Sequence, residues 1–159
     1  MKTATGREVV LSMLDLATDI ARWNKKYTTK TVLLQKLDEL GLTSHQVEVL
    51  GFMYANPELD TVSQLAAELF ISKGSLSLML SKLQMAGFVQ KKSAKGEDDG
   101  RKVYVKLTEK GNNAVETIRE QMVSSAAVAF DEMDDERRTL FYTKVSELKE
   151  LFNAGGLEE

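Results

Sequence analysis

The chain is predicted to be mainly α-helical with one short β-hairpin. Apolar residues recur at helical spacing over most of its 159 residues, Ser or Thr precedes each helical run in the middle of the chain, and the period turns to alternation once, between Gly87 and Thr108. With 43% hydrophobic and 28% charged residues, the composition fits one soluble globular domain with a modest core, or a smaller core completed by a partner.

Residues 7–38 place Val10, Leu14, Ala17 and Ala21 on one helical side and Met13, Ile20 and Trp23 on the neighbouring side. So wide an apolar surface suits a long first helix packed on two bodies, its own core and something else, or one wrapped by its own domain. Thr43 with Gln46 makes a capping box ahead of Val47, Leu50 and Tyr54, and the turn around Pro57 ends that helix. Thr61 with Gln64 repeats the box ahead of Leu65, Ala66 and Leu69. Ser72 then caps a helix with Leu76, Met79, Leu80 and Leu83 inward, and Gly87 stops it. Two short helices joined by a tight turn, the second ended by glycine, have the layout of a helix-turn-helix.

After Gly87, Val103 and Val105 alternate with Tyr104 and Lys106, a strand that pairs with Phe88–Lys92 through a charged loop at 93–100. Thr108 caps the next helix, whose apolar side is Ala114, Val115, Ile118, Met122 and Ala126. Acids in "DEMDDERR" favour the start of a last helix, amphipathic through Phe141, Val145, Leu148 and Phe152. Charge is uneven. Residues 61–110 hold 9 basic and 5 acidic side chains, whereas 111–159 hold 5 and 11, so a net −3 chain carries one basic module.

This order describes a winged helix with helical additions at both ends, and its residues resemble the MarR family of transcriptional regulators. "LTSHQVEVL" is similar to the family's second helix, "QLAAELFISKGSLSLMLSKLQMAGFV" to its helix-turn-helix, and "DDGRKVYVKLTEKG" to its wing and following cap. The last is the most specific, with Asp99 and Arg101 two apart, Leu107 six beyond the arginine, then Thr-Glu-Lys-Gly. The resemblance implies a single domain over 1–159. Its segments would be 1–40 and 111–153 as helical dimerisation region, 42–110 as DNA-binding lobe, a helix-turn-helix at about 61–86 and a wing at about 88–107. It also implies a homodimer and double-stranded DNA as partner.

On that reading the recognition helix presents Lys73, Ser75, Ser77, Leu78, Ser81 and Lys82 to the major groove. Many family members carry arginine where this chain has Leu78, which leaves the set short of donors for guanine. Leu78 then either contacts thymine methyls in an A·T-rich site or packs internally, with the serines as the reading positions. Arg101 matches the family's minor-groove wing arginine. Lys91, Lys92, Lys95 and Lys102 would hold flanking phosphates, and Asp99 would pair with Arg101 and limit its rotamers. Family members commonly release DNA when a small lipophilic or aromatic effector binds. Trp23, Tyr27, His45, Met53 and Tyr54 are the candidate lining by position.

Other classes are set aside. No paired carboxylates, nucleophile with a base, or metal cluster recurs, so no enzyme and no cofactor is expected. Zero cysteines remove disulfides and thiol sensing, and one histidine, His45, cannot build a metal site alone. No apolar run is long enough for a bilayer, and the N-terminus lacks a signal-peptide core, so a cytoplasmic protein with no membrane partner is expected. The competing reading is a winged-helix protein-interaction module with weak or lost DNA binding.

Overall fold

The structure, a computed structural model, describes residues 3–27, 30–93 and 102–153. In chain order the elements are α1 (Gly6–Tyr27), α2 (Lys30–Leu40), α3 (Ser44–Ala55), α4 (Val62–Glu68), α5 (Lys73–Met85), β1 (Val89–Ser93), β2 (Val103–Leu107), α6 (Glu109–Asp131) and α7 (Asp135–Asn153). They are mainly helical with one antiparallel hairpin, a winged helix-turn-helix. Two compact units divide them, Met1–Thr29 with Met122–Glu159, and Lys30–Gln121.

The stretch read as helical over 7–38 falls in α1 and α2, on either side of residues 28 and 29, which lie outside the described residues. The second piece belongs to the Lys30–Gln121 unit, where Leu37 and, just beyond it, Leu42 are buried. The two units meet along the chain after residue 29 and after residue 121.

The caps form as the local sequence dictates. The Thr43 hydroxyl accepts the Gln46 backbone N–H at 3.3 Å while the Gln46 side chain accepts the Thr43 N–H at 2.8 Å, and Thr61 and Gln64 repeat the exchange. Ser72 accepts the Ser75 N–H at 3.1 Å. Three helices end alike, with crossed backbone bonds around one left-handed residue: Gly41 after α2, Gly87 after α5 and, unexpectedly, Phe70 after α4.

In the Lys30–Gln121 unit, Leu50, Leu65, Leu76, Leu80 and Leu83 are fully buried with Phe88, Val89 and Val105. Those leucines lie on one stripe of their helices, which is the physical basis of the helical period read from the sequence. Ala114, Val115 and Ile118 of α6 complete the core. The hairpin pairs Val89 with Leu107 through Ser93 with Val103. A bridge between Thr61 and Tyr104, with the Val105 N–H donating to the Asp60 carbonyl at 2.7 Å, ties β2 to the start of α4.

The unit formed by the chain ends is different. None of its described residues is buried. Within it Trp23, Phe130 and Phe141 make a short aromatic row with centroids 5.1 and 5.0 Å apart.

Candidate nucleic-acid interface

Helix α5 is the recognition helix by position, second of the two short helices joined at Leu69–Ile71. Its inward stripe is anchored by Leu76, Leu80 and Leu83, so the opposite side is turned to solvent. Lys73, Ser75, Leu78, Ser81 and Lys82 are exposed there, and Ser77 is half-buried. Leu78 is 62% exposed, so it does not pack inside its own chain. An exposed leucine between Lys73 and Lys82 offers only a methyl-bearing surface, suited to thymine C5-methyl groups.

Two of the serines are already committed inside the protein. Ser75 receives the Ser72 hydroxyl at 2.8 Å and belongs to the N-terminal cap. Ser81 donates to the Ser77 carbonyl at 2.8 Å and accepts the Lys91 ammonium at 2.8 Å. That ammonium donates as well to the Ser77 carbonyl at 3.1 Å, and burial pushes the Lys91 pKa below the ordinary lysine range. Lys91 is thus turned to α5, whereas its neighbour Lys92 is exposed. The signal was present in the sequence: Lys91 lies two residues beyond the apolar Val89 and shares its face of the strand.

The wing is β1 and β2. Lys102 is exposed at the foot of β2, while Lys95, Asp99 and Arg101 lie outside the described residues. The Thr108–Gly111 motif fixes the base of the hairpin. The Thr108 hydroxyl donates to the Gly87 carbonyl at 2.7 Å and accepts the Gly111 N–H at 3.1 Å. Lys110 donates to the Ala86 carbonyl at 2.8 Å, at the C-terminal end of α5, with its ammonium 4.4 Å from the Phe88 ring centroid. A Cβ on Gly111 would stand 2.1 Å from the Phe88 carbonyl oxygen, so only glycine allows this approach.

The candidate effector residues are distributed. Trp23 packs against Phe130 in the unit of the chain ends, with the ring planes tilted by 50°, and the side chain of Tyr27 lies outside the described residues. His45 is exposed beside a small cavity of about 80 Å³ with Val49, Leu69 and Met79. Met53 and Tyr54 line another of about 280 Å³ with Asn56, Pro57 and Leu59. The Tyr54 hydroxyl donates to Glu116 at 3.1 Å, and that hydrogen bond, with the carboxylate charge, raises its pKa. Among the described residues no three or more His, Cys, Asp or Glu could hold a metal ion together, and no helix is long and apolar enough to cross a membrane.

The MarR family model matches residues 40–102, the stretch that holds the helix-turn-helix and most of the wing. The HTH-type transcriptional regulator FarR of Neisseria gonorrhoeae is 28% identical over 118 residues, covering 74% of this chain and 79% of that protein. A MarR family protein from Bacillus stearothermophilus shares the fold at a TM-score of 0.67 and 20% identity, over 94% of this chain and 99% of that one. The Staphylococcus aureus MepR–DNA complex does so at 0.51 and 17%, over 94% and 99%. The caps, the helix-turn-helix, the wing and these likenesses agree: over residues 40–102 the chain matches the MarR family of transcriptional regulators, and it has the winged helix-turn-helix fold of that family's solved structures.

Proposed function

We propose that the protein is a homodimeric, effector-responsive repressor that reads a pseudo-palindromic, A·T-rich operator. The observation that carries the operator reading is the surface of α5, where Lys73 and Lys82 flank an exposed Leu78 and the serines at 75 and 81 are engaged internally. Such a surface holds phosphates at both ends and offers apolar contact between them, a pairing that favours thymine over guanine. Arg101 in the wing would add a minor-groove contact in the same A·T-rich sequence, with Lys92, Lys95 and Lys102 on flanking phosphates. Two-fold symmetry sets the half-sites roughly one helical turn, about 10 bp, apart.

Dimerisation is supported by the unit of the chain ends, where none of the described apolar residues is buried. Effector response is carried over from the family resemblance, and the Met53–Tyr54 cavity is the part of the expected lining that two of the candidate residues share. The protein acts by binding rather than catalysis, in the cytoplasm.

Selection of bound fragments from random duplex DNA by the purified protein tests this reading. A palindrome with A·T-rich half-sites is the expected result. The donor-poor helix also supports the interaction-module alternative, which an absence of any enriched sequence would favour. Arg101→Ala is expected to weaken binding to the selected site by about 1–3 kcal/mol and to flatten the salt dependence by about one unit. An unchanged salt slope would remove Arg101 from the phosphate-contacting groove surface.

A further inference from the structure

We propose that Lys91 is a positioning residue that clamps the wing to the recognition helix, so that the two DNA-reading elements are presented as one rigid body. The proposal deepens the DNA-reading function above and rests on it.

Side chains alternate along β1, so Lys91 shares the inward face with Val89, which is 2% exposed, and it pairs with Val105, also 2% exposed. An ammonium on that face has lost water and needs acceptors. It finds two of them one turn apart on α5, the Ser77 carbonyl at 3.1 Å and the Ser81 hydroxyl at 2.8 Å. Because the Ser81 proton goes to the same Ser77 carbonyl at 2.8 Å, the hydroxyl keeps its lone pairs for the lysine. Carbonyl, hydroxyl and ammonium close a triangle between strand and helix.

Three consequences follow from this geometry. Lys91 is directed at α5 and adds no phosphate contact. Ser81 is held as an acceptor for Lys91 and is not a reader of bases. The angle between wing and recognition helix is fixed before DNA arrives, which sets how many base pairs separate the major-groove and minor-groove contacts and lowers the ordering cost of binding. A fixed separation rewards the matched sequence far more than random duplex.

Lys91→Met keeps the apolar stem and removes the ammonium. In the full-length protein it is expected to weaken binding to the selected site about ten-fold, with little change on random duplex and no change in the salt slope. Ser81→Ala should give part of the same loss, and the double variant should be no worse than Lys91→Met alone. On the free protein, amide hydrogen exchange in β1 and β2 should accelerate in Lys91→Met while the core amides of α3 and α6 stay protected. A salt slope smaller by about one unit would make Lys91 a phosphate contact and overturn the clamp. Additive losses in the double variant would overturn it too, as would unchanged hairpin exchange. If the wild-type protein binds no DNA, the function reading fails, and the exchange experiment alone decides the clamp: faster hairpin exchange supports it, unchanged exchange overturns it.

Discussion

Phe70 holds a left-handed backbone, φ 53°, with its side chain 95% exposed, so no burial offsets the strain. Gly41 and Gly87 occupy the same place at the ends of α2 and α5, with the same pair of crossed hydrogen bonds. A bulky side chain in this conformation costs about 1–2 kcal/mol, and glycine's greater freedom in the unfolded chain returns about 0.5–1 of it. Phe70→Gly should therefore stabilise the fold by roughly 0.5–1 kcal/mol, read as a higher urea midpoint at unchanged slope. A lower midpoint would mean that the phenyl ring has a contact of its own. Phe70 was not legible in the sequence because nothing at Leu69–Phe70–Ile71 carries a turn signal, whereas Gly87 announces its turn. Tyr54 makes a second prediction at this scale. Its hydrogen bond to Glu116, then the carboxylate charge, favours the neutral phenol, so the folded-state pKa lies above the unfolded one. That contribution to stability is complete below the ordinary tyrosine pKa and is lost as pH rises through the raised one. Ultraviolet titration should show Tyr54 ionising late, and Glu116→Ala, which removes both the acceptor and the charge, should lower its pKa.

At the scale of elements, the Thr-Glu-Lys-Gly motif is a joint. Thr108 caps α6 and bonds the turn after α5, Lys110 satisfies a carbonyl at the end of α5, and Gly111 lets the Phe88 carbonyl approach. Gly111→Ala forces a Cβ onto a backbone oxygen at 2.1 Å, a clash that no side-chain rotation relieves. A loss of about 2–3 kcal/mol in chemical denaturation is expected, with the strand amides losing protection first. A loss under about 0.5 kcal/mol would show that the joint yields freely. The capping boxes of α3 and α4 were readable because both partners lie within four residues. The bridge between Thr61 and Tyr104 was not, since pairing over more than forty residues leaves no local pattern. The place of α2 falls between these cases: the apolar period over 7–38 is visible in the sequence, but the burial of Leu37 in the Lys30–Gln121 unit is not written in it. In the interface, the exposed positions of α5 followed directly from the inward stripe. The partners of Ser81 and Lys91 did not, because their bonds cross from strand to helix.

For the whole molecule, the distribution of burial governs assembly. The Lys30–Gln121 unit has a continuous core, whereas the unit of the chain ends has no buried residue among those described. Yet α1 and α7 carry Met13, Leu16, Ile20, Leu148 and Phe152 around an apolar groove of about 520 Å³, with Ile20 50% and Phe152 47% exposed. Burying such a surface contributes about 25 cal/mol per Å², a gain that water contact forfeits. A second copy offers the same apolar helices, and a two-fold contact covers both at once. Leu148→Glu places an unpaired carboxylate in that groove, and desolvating it should oppose association. Sedimentation should find the unaltered protein dimeric at micromolar concentration and the variant dissociating at concentrations roughly 100-fold higher. The thermal transition of the Lys30–Gln121 unit should survive, because its core lies elsewhere. At concentrations where the variant is monomeric, each half-site of a selected palindrome should be occupied independently and far more weakly, since the second contact is no longer delivered by the first. A Leu148→Glu protein that remains dimeric at nanomolar concentration would take this groove out of the subunit interface.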